Sequence, residues 1–140
     1  MDKDIKMGEI KKAKLYAPLV LAYIGDSIYE VYVRNRIIKE NPDLPAYKLH
    51  KVAIGFVKAH AQSESIEHIL PILTEEEEEV YKRGRNAKSP TVPKNADVTE
   101  YRRATGFEAL IGFLYLDGQS ERLEYLMMNA FDAIKNKKEQ

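Results

Sequence analysis

Apolar residues recur along this chain at three- and four-residue spacing, and no stretch shows the one-by-one alternation of a half-buried strand. The pattern predicts an all-α protein. A first long helix is expected from about Tyr16 to Lys39, with Pro18 tolerated in its first turn and Asn41-Pro42-Asp43 as its stop. A second is expected from near Pro45 toward Leu70, with Val52, Ala53, Phe56 and Val57 on its inner face and a break near Gly55. Pro71 separates it from a third helix, opened by a capping box of Thr74 and Glu77 and ended or bent by Gly84. Ser89-Pro90-Thr91-Val92-Pro93 reads as a loop. Asp97 with Glu100 reads as another capping box, opening a helix through Asp117 with Gly118 as its cap. Ser120 is expected to cap a last helix through about Ile134, before a fraying lysine-rich tail.

With 140 residues the pattern fits one domain, residues 1–140, large enough to bury a core without staples. Apolar residues make up 44% and charged residues 31%, which places the chain among globular proteins. Cysteine is absent, which excludes disulfide scaffolds, thiolate zinc sites and cysteine nucleophiles, and fits a reducing cytoplasm. The N-terminus, Met1 to Lys6, mixes charges and is not followed by the apolar core of a targeting segment. The longest apolar runs, Leu15–Ile24 and Ala104–Leu116, are too short to span a bilayer.

Net charge is zero, yet its distribution is uneven. From Tyr81 to Arg103 seven basic residues stand against Asp97 and Glu100, while Glu75 to Glu79 forms an unbroken acidic run. Lys82, Arg83, Arg85, Asn86 and Lys88, followed by Lys94, could bind a phosphate backbone, with Gly84 letting the chain come close. The plainer alternative is a solvated helix end whose cations favour the dipole. The Glu75–Glu79 run reads as a solvated helix start.

Two carboxylates interrupt apolar stretches that look packed on most sides. Asp26 lies in Leu19 to Ile28 and Glu108 in Ala104 to Phe113. A buried carboxylate needs a partner or a metal, and two of them beside a basic segment point to a cation site that works on phosphate. For Asp26 the alternatives are a solvent stripe shared with Glu30, four residues on, or pairing with an arginine. For Glu108 the alternative is a core glutamate paired with Arg102 or Arg103. Gly25, Gly106 and Gly112 permit close helix contacts. His60, Glu64 and His68 share one helix face but lack the Glu-x-x-His or His-Glu-x-x-His spacing of metal sites, so they read as an exposed polar face. Tyr23, Tyr29 and Tyr32 read as core or interface.

Leu21-Ala22-Tyr23-Ile24-Gly25-Asp26-Ser27 resembles the signature helix of the ribonuclease III family, Leu-Glu-Phe-Leu-Gly-Asp-Ser. Phe107 to Asp117 is similar to that family's second motif, Phe-Glu-Ala-Leu-Ile-Gly-Ala-Ile-Tyr-Leu-Asp, and Arg83-Gly84-Arg85-Asn86 to its basic turn. Three matches in order over about 100 residues are specific, and the two anomalous acids are the acids that match. Where larger members carry glutamates before the aspartate, this chain has Ala22 and Leu19, and Thr105 stands where they have an aspartate. With Gln140 as the last residue, no double-stranded-RNA-binding domain is expected. The combination resembles the Mini-III ribonucleases, the compact branch of the family.

What the resemblance implies is an all-helical endonuclease domain acting as a homodimer, with RNA in the valley between subunits. The implied substrate is double-stranded RNA, notably the terminal stem of the 23S ribosomal RNA precursor. Magnesium is the implied cofactor, with manganese able to substitute, held by Asp26 and Glu108 as catalytic and metal-binding residues. Lys82, Arg83, Arg85, Asn86, Lys88 and Lys94 would grip RNA. A large-subunit ribosomal protein is a candidate partner, the location is the cytoplasm, and no membrane is involved. The other reading is a non-catalytic helical module that binds structured RNA or a ribosomal partner, with Asp26 and Glu108 as buried ion-pair members.

Overall fold

A computed structural model describes residues 11–89 and 91–139. The readings of Met1 to Lys6, and of Pro90 in the loop, lie outside the described residues. After a single 3-10 turn at Ala13–Leu15 come six helices: α1 (Pro18–Glu40), α2 (Ala46–Val57), α3 (Ala59–Ile69), α4 (Glu75–Asn86), α5 (Val98–Leu116) and α6 (Ser120–Lys138). A 3-10 turn, Leu70–Ile72, joins α3 to α4. No strand occurs among the described residues.

α5 is the hub, packed against α1, α3, α4 and α6. Its buried residues, Ala104, Gly106, Phe107, Ala109, Leu110, Ile111, Gly112, Phe113 and Leu114, go all the way round the helix. A helix apolar on every side has no face for water and ends in the middle of a domain. α1 buries Leu21, Tyr29, Val33 and Ile37 fully or almost fully in the core. Tyr29 meets Phe107 edge to face at 4.8 Å, and Phe56 of α2 stacks on Phe131 of α6 at 4.2 Å, so aromatic pairs tie the layers together.

Several boundaries depart from the sequence pattern. The second expected helix breaks at Lys58, not Gly55: Lys58 is extended (ψ 156°), ending α2 and opening α3. Gly55 stays helical because α2 needs no turn until its buried Ala53 and Phe56 have met the core. α4 does not end at Gly84 but runs two residues further, to Asn86. Gln119 precedes α6, with Ser120 as its first residue and no side-chain cap, and the helix continues to Lys138. Thr74 and Glu77 form the full capping box, whereas at Asp97 only the aspartate side chain caps, accepting from the Glu100 amide.

The acidic run is not uniformly solvated. Glu77 is buried, closing the capping box and receiving Arg122 Nε and a second guanidinium nitrogen, both at 2.8 Å. Burial raises its pKa, but the Arg122 bonds and the Thr74 amide outweigh that and hold it below the usual carboxylate range.

Candidate active site

α1 and α5 cross in backbone contact, and glycine makes the contact possible. A Cβ on Gly25 would overlap the Glu108 carbonyl oxygen and come within 2.7 Å of its carbon. On α5, a Cβ on Gly112 would overlap the Leu21 carbonyl oxygen and sit 2.8 Å from the Leu21 carbonyl carbon. The two glycines interlock the helices so closely that the residue after Gly25, Asp26, lies beside the Glu108 side chain.

The two carboxyls are within hydrogen-bond reach of each other. Glu108 is half-buried, and its pKa is pushed up to about 9 by burial first, then by the bond to Asp26 and the charge of Asp26, with Glu30 adding to it and the Gln62 amide opposing. Two carboxylates this close do not both ionise unless a cation comes between them. Among the described residues, no arginine, lysine or histidine forms an ion pair with either acid. Arg103 instead reaches Glu67 at 2.8 Å, and Arg102 lines a cavity with Lys88, so neither is the partner that a core glutamate would need.

Asp26 is exposed, contrary to the expectation of a helix packed on most sides. The outward face of α1 carries Val20, Tyr23 and Val31, exposed by 48%, 80% and 65%, so its apolar run is only half used within this chain. Tyr29 is core and Tyr32 half-buried. Glu30 acts on Glu108 through its charge while its carboxylate pairs with Arg34 at 3.1 Å, and the Thr105 hydroxyl donates to the Tyr101 carbonyl. No group of three or more metal-ligating side chains occurs among the described residues.

The basic segment is held against the same hub. A Cβ on Gly84 would meet the Ala109 Cβ at 2.7 Å and the Gly106 Cα at 2.9 Å, which presses the last turn of α4 onto α5 next to Glu108. Arg83 donates to the Lys14 carbonyl at 2.9 Å, Lys82 pairs with Glu78 at 3.0 Å, and Arg85 donates to Asn86 while lying over the Tyr81 ring. Lys88 and Lys94 are exposed on the connection to α5. Lys88, Ser89, Tyr101, Arg102 and Thr105 surround a cavity of about 280 Å³.

The stripe His60, Glu64, His68 is not one site. The two ring nitrogens of His60 face different carboxylates, Glu64 and Glu100, and Lys137 also takes Glu64. The residue that sequence reasoning passed over is Gln62, buried on α3 under Glu108. Its signal was available: positions 62, 66 and 69 share the inner face, and the other two are isoleucines.

A six-helix unit with a paired carboxylate on crossing helices and a basic segment alongside defines a ribonuclease III-type nuclease domain, and the family model for the Ribonuclease III domain matches residues 19–119. The chain is 57% identical over 110 residues to the Mini-ribonuclease 3 of Clostridium tetani, covering 79% of this chain and 73% of that protein. It is 49% identical over 117 residues to the Mini-ribonuclease 3 of Symbiobacterium thermophilum, covering 84% and 89%. A crystal structure of a Fusobacterium nucleatum protein superposes with a TM-score of 0.75 at 32% identity, over 84% of this chain and 93% of that one. The chain belongs to the Mini-ribonuclease 3 family and is an endoribonuclease, which sets aside the non-catalytic module.

Proposed function

We propose that this enzyme hydrolyses double-stranded RNA with a divalent cation, magnesium or manganese in its place, held by Asp26 and Glu108. One observation carries the reading: two carboxyls meet at the α1–α5 crossing with no cationic side chain paired to either among the described residues. The donor set suits magnesium, which accepts few protein carboxylates and keeps several waters. Bound there, the cation would neutralise phosphate charge, lower the pKa of water and stabilise the leaving oxygen.

The chain's own residues account for the rest. Hydrolysis adds a water oxygen to phosphorus and breaks the bond to the 3′ oxygen, which takes up a proton, leaving a 5′ phosphate and a 3′ hydroxyl. Asp26, exposed, presents its carboxylate to the phosphate side, while half-buried Glu108 anchors the site from within. Lys82, Arg83, Arg85, Asn86, Lys88 and Lys94 hold backbone phosphates, and duplex preference follows from A-form shape and 2′-hydroxyls more than from base edges.

The exposed apolar face of α1, Val20, Tyr23, Val31 and Ile38, with Tyr115 and Leu116 of α5, supports a symmetric homodimer in which each subunit cuts one strand. The substrate we assign is the terminal stem of the 23S ribosomal RNA precursor, in the cytoplasm. A large-subunit ribosomal protein is the partner we assign, with the exposed or half-buried glutamates Glu75, Glu76, Glu78 and Glu79 at the start of α4 as its contact. Residues 1–140 act as one catalytic unit.

The test is incubation of the protein with long duplex RNA in magnesium and in EDTA, beside Asp26→Asn. Cutting in magnesium alone, lost in the variant with RNA retardation intact, is expected. Cutting in EDTA, or by the variant, overturns the assignment.

A further inference from the structure

Under Glu108 lies a polar side chain to which the cation reading gives no role. Gln62 is 1% exposed, its amide lies close to the Glu108 carboxyl, and its Oε1 has no hydrogen-bond partner among the described residues. An acceptor left unpaired in the interior is costly, and leucine or methionine at 62 would avoid the cost. Such an orphan asks for a reason, and the reason lies at the other end of the same amide.

The titratable side chains that act most on Glu108 are Asp26 and Glu30, both acceptors when ionised. Gln62 is therefore the one of these side chains that can donate to the Glu108 carboxylate. Once Glu108 is ionised around a cation, only one amide orientation serves: Nε2 toward Glu108 and Oε1 inward, because the reverse sets acceptor against acceptor. The terminal torsion of a glutamate is broad and roughly two-fold, so a carboxylate without a fixed donor has no defined face. Gln62 itself is fixed, since one turn on, Ser65 donates to the Ala130 carbonyl at 3.1 Å and pins α3 to α6.

We propose that Gln62 is a positioning residue, whose buried amide N–H holds one Glu108 oxygen so that the other faces Asp26 and the divalent cation between them. This rests on the cation reading above. Donors behind a metal ligand typically change affinity by about 10–100-fold when removed.

The experiment compares wild type with Gln62→Met, which keeps length and loses the donor, and Gln62→Asn, which withdraws the amide by one methylene. Manganese binding is read by calorimetry without RNA, cleavage against magnesium concentration, and thermal unfolding in EDTA. For both variants, manganese affinity should fall about tenfold or more, and the magnesium needed for half-maximal cleavage should rise by a similar factor. KM for RNA should stay within about twofold, and unfolding of Gln62→Met in EDTA should come at the same temperature or higher. If either variant folds and binds manganese like wild type, or if both merely unfold earlier, Gln62 is structural and the proposal is overturned. If wild type itself binds no manganese, the cation reading fails first and takes this proposal with it.

Discussion

Gly25 rests directly on the backbone of Glu108, with no room between them for a methyl group. That single contact sets the spacing of α1 and α5, and through it the meeting of Asp26 with Glu108. The site is an outcome of two helices packing closer than side chains ordinarily allow. Adding a methyl there should separate the acids as well as strain the fold.

Gly25→Ala and Gly112→Ala should each destabilise by about 1–3 kcal/mol or more, because the clash is with backbone that has nowhere to go. Gly55→Ala is the control. Its Cβ would meet only the far end of the Lys138 side chain, and removing a helical glycine is worth up to about 1 kcal/mol. Urea unfolding of the three variants checks the contrast, and equal losses at all three positions would refute it.

Glu108→Gln should reduce single-turnover cleavage by about a thousandfold, the loss of several kcal/mol of charge stabilisation. RNA retardation at low salt should persist, since the basic segment is untouched.

The same variant has a pH signature. In the cation-free protein Glu108 keeps its proton up to about 9, while the unfolded chain loses it near the ordinary glutamate value of 4.5. Between these values the folded state binds the extra proton, so this residue's contribution to stability falls as pH rises and levels off above about 9. Stability of wild type minus Glu108→Gln, measured in EDTA at pH 5, 7 and 9, should decline across the series. Cation binding must displace that proton, so manganese affinity should rise with pH over the same window.

Arg122→Met should destabilise by about 1–3 kcal/mol, by stranding Glu77 without its bidentate partner. Because the pKa of Glu77 is lowered, its contribution is present above the usual glutamate range and fades as the solution is acidified. The stability gap between wild type and Arg122→Met should therefore shrink toward low pH, as urea titrations at pH 7 and pH 3 would record.

RNA binding should weaken by about 10²-fold between about 50 and 200 mM salt if about four phosphates are neutralised by the α4–α5 segment. Lys88→Ala and Lys94→Ala, both exposed, should each flatten the slope. A retardation assay across salt concentrations gives the slope directly, and a salt-independent affinity would remove the segment from its role.

Local chemistry settled most of the helices and named both acids before any coordinates. Thr74 and Glu77 begin α4 by bonds between residues three apart, Pro18 sits where a missing N–H costs nothing, and Asp26 and Glu108 stand out as charges in apolar runs. What lay beyond the sequence was every relationship between distant segments. Arg122 finds Glu77 across 45 residues, Arg103 turns to Glu67 and leaves Glu108 without a cation, and Gln62 comes to lie beneath it. Asp26 proved exposed because half of α1's apolar surface meets nothing in this chain. Helical periodicity and capping act within one or two turns, so the order of residues determines them. Burial, charge pairing and the closeness of two backbones depend on which helix faces which, and only the packed structure decides that.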